Sequence, residues 1–125
     1  MGKKILIVDD DRSVRLLVRA TLGAGAEEYD ILEAGSGKEA LEIARRELPE
    51  LLLLDIMMPR VDGFTVCEQL KSDPATSGIT IVMLTAIRRP EDIERGKTAG
   101  ADGYFTKPFS PLQLLQLVER VMRGY

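Results

Sequence analysis

Histidine is absent from all 125 residues. That removes the Ser-His-Asp triad, the Cys-His pair and histidine-ligated metal sites. The single cysteine, Cys67, permits no internal disulfide and, without histidine, argues against structural zinc. Its position on an apolar helical face reads as core packing. The 17 basic residues are balanced by 20 acidic ones, for a net charge of -3, and no basic run stands out. The sequence therefore carries no electrostatic footprint for nucleic acid. No apolar run is long enough to span a bilayer, so no membrane segment is expected. In MGKKILIVDD the apolar stretch after the lysines is too short for a signal peptide. A cytoplasmic location is the default expectation. Any chemistry must use carboxylates, hydroxyls and lysine.

What is present is a soluble globular balance, 45% hydrophobic and 30% charged. A single domain over residues 1–125 is expected, with no repeat, linker or further domain visible. Apolar runs alternate with helical patterns. Lys4 to Val8, Tyr29 to Glu33, Leu51 to Leu54, Ile79 to Leu84 and Gly103 to Thr106 read as strands. Between them, Val14, Leu17, Val18 and Leu22 share one helical face, as do Leu41, Ala44 and Leu48. Phe64, Cys67 and Leu70 mark a third helix. Pro90 opens a fourth, with Glu91 and Asp92 near its positive end, and Gly100 closes it. Ser36-Gly37-Lys38-Glu39 and Ser110-Pro111-Leu112-Gln113 fit capping boxes, the second opening a helix that runs to Gly124.

Strict β/α alternation predicts a parallel sheet covered on both faces. Strands one, three and four are continuous apolar runs, fit for the centre; strands two and five are weaker, fit for edges. A doubly wound (βα)5 sheet in the order 2-1-3-4-5 satisfies this with right-handed crossovers. Sites in such sheets lie beyond the carboxyl ends of the strands, near the topological switch point. There the fold gathers Asp9, Asp10 and Asp11, then Asp55, then Thr85, then Lys107-Pro108. Crowded carboxylates repel, and an all-oxygen cluster suits Mg2+ or Mn2+. The same rim suits a phosphoryl group: Asp55 as nucleophile, Lys107 and the metal balancing charge, Thr85 donating a hydrogen bond.

The motifs ILIVDDD, LLLLDIMMPRVDG, IVMLTA and YFTKPF, in this order and on these elements, resemble those of response-regulator receiver domains from Lys3 to about Arg123. The resemblance implies a flavodoxin-like fold and a phosphoacceptor role in two-component signalling. It implies Asp55 as the phosphorylated aspartate, Asp10 as a direct Mg2+ ligand, Asp9 as a ligand through water, and the Met57 carbonyl as the backbone ligand. Thr85 matches the switch hydroxyl and Lys107 the phosphate-binding lysine, with a cis bond to Pro108. Tyr104 matches the aromatic that turns inward with Thr85, changing the surface of helix four, strand five and helix five. Implied partners are a sensor histidine kinase or histidine phosphotransfer protein, and a downstream effector protein or domain. The chain would promote its own phosphorylation and dephosphorylation without being a turnover enzyme. Arg60-Val61 depart from the small residue or glycine common before the Asp-Gly turn. Met57 and Ile87 are apolar where the family tunes phosphoryl lifetime.

Asp55 alone would fit a helix cap or turn, but its company on the rim argues otherwise. Asp11 fits the cap of the first helix better than a metal site. Tyr104 also fits an ordinary edge-strand aromatic. An aspartyl-phosphate phosphatase would carry a second acid two residues after the nucleophile, where Met57 stands. A flavin or nucleotide site needs a phosphate-cradling first loop, and Asp9, Asp10 and Asp11 would repel phosphate. A degenerate receiver that binds partners without phosphorylation is the remaining alternative. On the last helix, the apolar surplus is assigned to a partner or dimer surface at Leu114 and Leu117, so a phosphorylation-linked dimer is expected as an option. The fourth helix is poor in apolar residues and should be loosely held.

Overall fold

The computed structural model describes residues 3–25 and 27–123. Five strands, β1 (Lys3–Val8), β2 (Tyr29–Ala34), β3 (Leu51–Leu54), β4 (Thr80–Thr85) and β5 (Gly103–Thr106), alternate with five helices. These are α1 (Arg12–Gly23), α2 (Gly37–Glu47), α3 (Gly63–Ser72), α4 (Pro90–Thr98) and α5 (Pro111–Arg123). All strand pairs are parallel, in the order β2-β1-β3-β4-β5. The expected sheet is the one observed, with the two weaker strands at its edges.

The period-two alternation of strand side chains divides the core into two layers. Leu6, Val8, Leu52, Leu54, Ile81 and Met83 pack with Leu41, Ala44, Phe64, Cys67 and Leu70 from α2 and α3. Ile5, Ile7, Leu51, Leu53, Val82 and Leu84 pack with Val18 and Leu22 of α1 and Leu114, Val118 and Met122 of α5. The four leucines of β3 are thus shared between the two layers, and each is at most 1% exposed. Truncating one to alanine costs about 2–5 kcal/mol.

Helix starts follow the sequence closely. Asp11 Oδ1 accepts from Ser13 N–H, Ser36 Oγ from Glu39 N–H, and Asp62 Oδ1 from Thr65 N–H. The reciprocal half of the first capping box differs: Glu39 Oε1 accepts from Gly35 N–H, one residue before the cap. Gly100 closes α4 with φ of 100°, and Gly96 is the one buried residue of that helix. The end of the last helix at Gly124 lies outside the described residues.

Three apolar assignments are corrected. Leu17 is 54% exposed, because α1 turns Val18, Thr21 and Leu22 inward. Leu48 is 51% exposed, because it ends α2 in the left-handed region (φ 47°) ahead of Pro49. Leu114 is fully buried, because the inward stripe of α5 is Leu114, Val118 and Met122. It is therefore core and not a partner surface. Leu117 is half-buried against the same layer, and the exposed leucine of α5 is Leu112.

Candidate functional site

Register decides what meets at the rim. Val8 pairs with Leu54, Leu54 with Met83, and Thr85 with Thr106, so β1 and β3 end level and β4 and β5 end level two residues farther on. Backbone bonds run one residue beyond the strands. Asp9 N–H donates to Ala34 O (3.1 Å), Asp55 N–H to Val8 O (2.9 Å) and Lys107 N–H to Thr85 O (2.8 Å). Each of these residues is anchored by the sheet while its side chain reaches the end of it.

Asp9, Asp10 and Asp55 each offer a carboxylate oxygen within 4.8 Å of the others. Asp9 and Asp55 are buried, while Asp10 is exposed. Three convergent anionic oxygens, two of them out of water, repel strongly unless cations intervene. One cation belongs to the chain. Lys107 Nζ lies 2.6 Å from Asp9 Oδ2 and 3.4 Å from Asp55 Oδ2. Burial pulls the Lys107 ammonium toward neutrality, but the hydrogen bond it donates to Asp9 and the charges of Asp55 and Asp9 outweigh it, and its pKa is raised. A hard divalent cation fits the remaining charge: the donors are all oxygen, they converge, and Asp10 keeps an open side.

The anionic loop is itself braced. Asp9 Oδ1 accepts from Asp11 N–H, and Asp55 Oδ1 from Met57 N–H (3.2 Å). Arg15 Nη1 donates to the Asp9 carbonyl (2.7 Å), while its Nε reaches Glu33, which Arg19 also holds. Burial pushes the Glu33 carboxyl up, but these two arginines outweigh it and hold its pKa low. Gly63 packs against the backbone of Asp55: a Cβ there would fall 2.5 Å from the Asp55 carbonyl oxygen. Sequence reasoning missed Arg15 as a brace. Its signal was its place one turn into the helix that Asp11 caps, facing back over the acidic loop.

Thr85 is fully buried, and its Oγ1 accepts from Ile87 N–H (3.4 Å). Tyr104 donates its hydroxyl to the Ile87 carbonyl (2.7 Å), and its ring lies over Gly96 of α4. Burial, with Asp92 and Asp55, raises the Tyr104 pKa. The Lys107–Pro108 peptide is cis. Met57, 63% exposed, and half-buried Ile87 line one groove of about 480 Å3 beside the rim, with Met58, Phe64 and Arg89. Cys67 is buried against Ala99, and burial pushes its thiol up to about 11. It is an inert core residue.

An acidic cluster and a lysine gathered at the end of a 2-1-3-4-5 sheet define a class: the receiver modules of two-component signalling. A sequence model described as the response regulator receiver domain matches residues 5–119, and the chain belongs to that family. It is 42% identical over 123 residues to the alkaline phosphatase synthesis transcriptional regulatory protein PhoP of Bacillus subtilis, covering 98% of this chain and 50% of that protein. It is 44% identical over 124 residues to the response regulator PleD of Caulobacter vibrioides, covering 98% of this chain and 27% of that protein. The chain thus spans about half or less of the length of these relatives. Among solved structures, the chemotaxis protein CheY4 of Vibrio cholerae superposes with a TM-score of 0.88 at 34% identity, covering 97% of this chain and 99% of that one. Among the described residues no helix is long and apolar enough to cross a membrane.

Proposed function

We propose that this receiver domain accepts a phosphoryl group on Asp55 in a Mg2+-dependent reaction. The observation that carries the reading is the Lys107 ammonium between Asp9 and Asp55, within one acidic cluster at the sheet's end. Such a cluster has an anionic nucleophile and a pre-placed cation for the charge that arrives.

The donor is a phosphohistidine on a sensor histidine kinase or a histidine phosphotransfer protein, since the chain has no histidine. Asp55 attacks phosphorus; the O–P bond forms, the P–N bond breaks, and the electron pair passes to the imidazole nitrogen. Bound Mg2+ supplies charge neutralisation on the phosphoryl oxygens. Asp10, Asp55 and the Met57 carbonyl would hold it, with Asp9 supporting them; Mn2+ would suit the same oxygens. Lys107 pairs with the arriving phosphoryl oxygens. Thr85 leaves the Ile87 amide to donate to the phosphoryl group, Tyr104 turns inward from Ile87, and the α4-β5-α5 surface changes for a downstream effector protein or domain. Sparse burial in α4 supports its role as the element that moves.

Met57 and Ile87, on one groove beside Asp55, shield the acyl phosphate and lengthen its life. The described chain acts as one receiver domain in the cytoplasm, promoting only its own phosphorylation and dephosphorylation. With Leu114 inside the core, a phosphorylation-linked dimer through α5 would use Leu112 and the exposed part of Leu117.

The test is phosphoramidate, a small P–N donor, with Mg2+ and intact-mass detection. Wild type gains one phosphoryl group; Asp55→Asn and chelator-treated wild type gain none. Labelled Asp55→Asn contradicts Asp55 as the acceptor, and unlabelled wild type contradicts the reading and favours a phosphorylation-independent binding module.

A further inference from the structure

We infer that Arg88 is a positioning residue for phosphoryl transfer to Asp55, acting through the main chain of Lys107. The inference rests on the phosphoacceptor reading above. Lys107 stands just past the end of β5, an edge strand, and its successor Pro108 has no N–H. The sheet holds Lys107 only by its N–H, which donates to Thr85 O (2.8 Å). Its carbonyl has no ladder partner to turn to. Arg88 supplies one: Nη2 donates to Lys107 O at 2.7 Å. That is the length of a charge-assisted bond. No carboxylate pairs with Arg88 among the described residues, so this contact does not compete with an ion pair.

Residues 85 and 88 thus clasp residue 107 from both ends of its main chain. The lysine ammonium rides on a flexible four-carbon stem, so its place depends on where the Cα is held. Here the Nζ must lie between two carboxylates at 2.6 and 3.4 Å. Fixing the carbonyl limits rotation of the unit from which the stem departs. The clasp also joins Lys107 to the segment that carries Thr85 and Ile87. The hydroxyl and the ammonium are therefore held within one bonded unit.

The experiment measures phosphorylation rates of the whole chain against phosphoramidate concentration, with Mg2+ saturating. Arg88→Ala is expected to lower the maximal rate about fivefold, the worth of a hydrogen bond weakened by solvent exposure, with half-saturating donor unchanged. Arg88→Lys, which keeps a charged donor, recovers part of the loss. In a Lys107→Ala background, adding Arg88→Ala changes nothing further, because its effect passes through that lysine. Amide exchange gives an independent readout: the Lys107 N–H exchanges faster in Arg88→Ala, while β1 and β3 amides keep wild-type protection. A wild-type maximal rate in Arg88→Ala, an equal loss without Lys107, or unchanged exchange at the Lys107 amide overturns the inference alone. Failure of wild type to label at Asp55 overturns the phosphoacceptor reading and this inference with it.

Discussion

Lys107 lies nearer to Asp9 than to Asp55, at 2.6 Å against 3.4 Å. Its ammonium therefore rests on Asp9 and reaches Asp55 at the edge of hydrogen-bond range. Removing it leaves two buried carboxylates and exposed Asp10 without their internal cation. Lys107→Ala is expected to lower stability by about 1–3 kcal/mol without Mg2+, less than a fully buried pair would lose because its side chain is 19% exposed. Urea unfolding in chelator measures it, and added Mg2+ should restore part of the loss.

Mg2+ held by the same carboxylates, as proposed, would make stability depend on the metal. Mg2+ at ten times its dissociation constant should add about 1.4 kcal/mol to the unfolding free energy. Chelation removes the gain, and Asp10→Asn greatly reduces it, because Asp10 is the exposed member of the cluster. Urea midpoints across a Mg2+ series, with Ca2+ as comparison, test this.

Glu33 gives a pH signature away from the rim. Its folded pKa is lowered, burial being outweighed by Arg19 and Arg15, so its stabilising effect is complete above the unfolded carboxyl value of about 4.3. It is lost as pH falls through the folded pKa. Lys107 has the opposite sense: its pKa is raised, and its contribution is lost only in strong alkali as pH rises through the folded value. Between pH 6 and 3 the unfolding midpoint should therefore fall less steeply in Glu33→Gln than in wild type.

Gly63 touches the backbone that carries Asp55. A Cβ would stand 2.5 Å from the Asp55 carbonyl oxygen and 2.8 Å from Ile56 Cα. Backbone cannot swing aside as a side chain does. Gly63→Ala should cost about 1–3 kcal/mol in urea unfolding and slow labelling of Asp55 in the molecules that remain folded.

Arg60 occupies the left-handed region with φ of 70°. Strain there runs to about 1–2 kcal/mol, and glycine's extra chain entropy returns about 0.5–1 of it. Arg60→Gly should therefore raise stability by about 0.5 kcal/mol, with a wild-type labelling rate. An unchanged or lower unfolding midpoint would show that the turn is not strained.

The sheet was legible because its central strands are unbroken apolar runs, and Gly103–Thr106 was placed to the residue. Strand β4 begins one residue later than expected because Leu51 pairs with Thr80, leaving Ile79 in the preceding turn, where its N–H meets Thr76 O. Asp9, Asp10, Asp55, Thr85 and Lys107 could be brought to one rim from topology alone, since each ends or follows a strand. The phase of α5 was not legible. Its many apolar residues fit several faces, and only packing on the sheet turned Leu114 in and Leu112 out. Nor was Arg88, whose partner is a main-chain carbonyl nineteen residues away and leaves no mark in residue pattern, whereas Arg15 left a signal in its place one turn into α1, six residues after Asp9.

The most direct test is to locate the label. Wild-type protein is phosphorylated with phosphoramidate and Mg2+, treated with borohydride to reduce an acyl phosphate to an alcohol, and sequenced by mass spectrometry. The expected result is homoserine at position 55 and unmodified aspartate at 9, 10 and 11. Reduction at another carboxylate, or no reduced residue in a fully labelled sample, would contradict it.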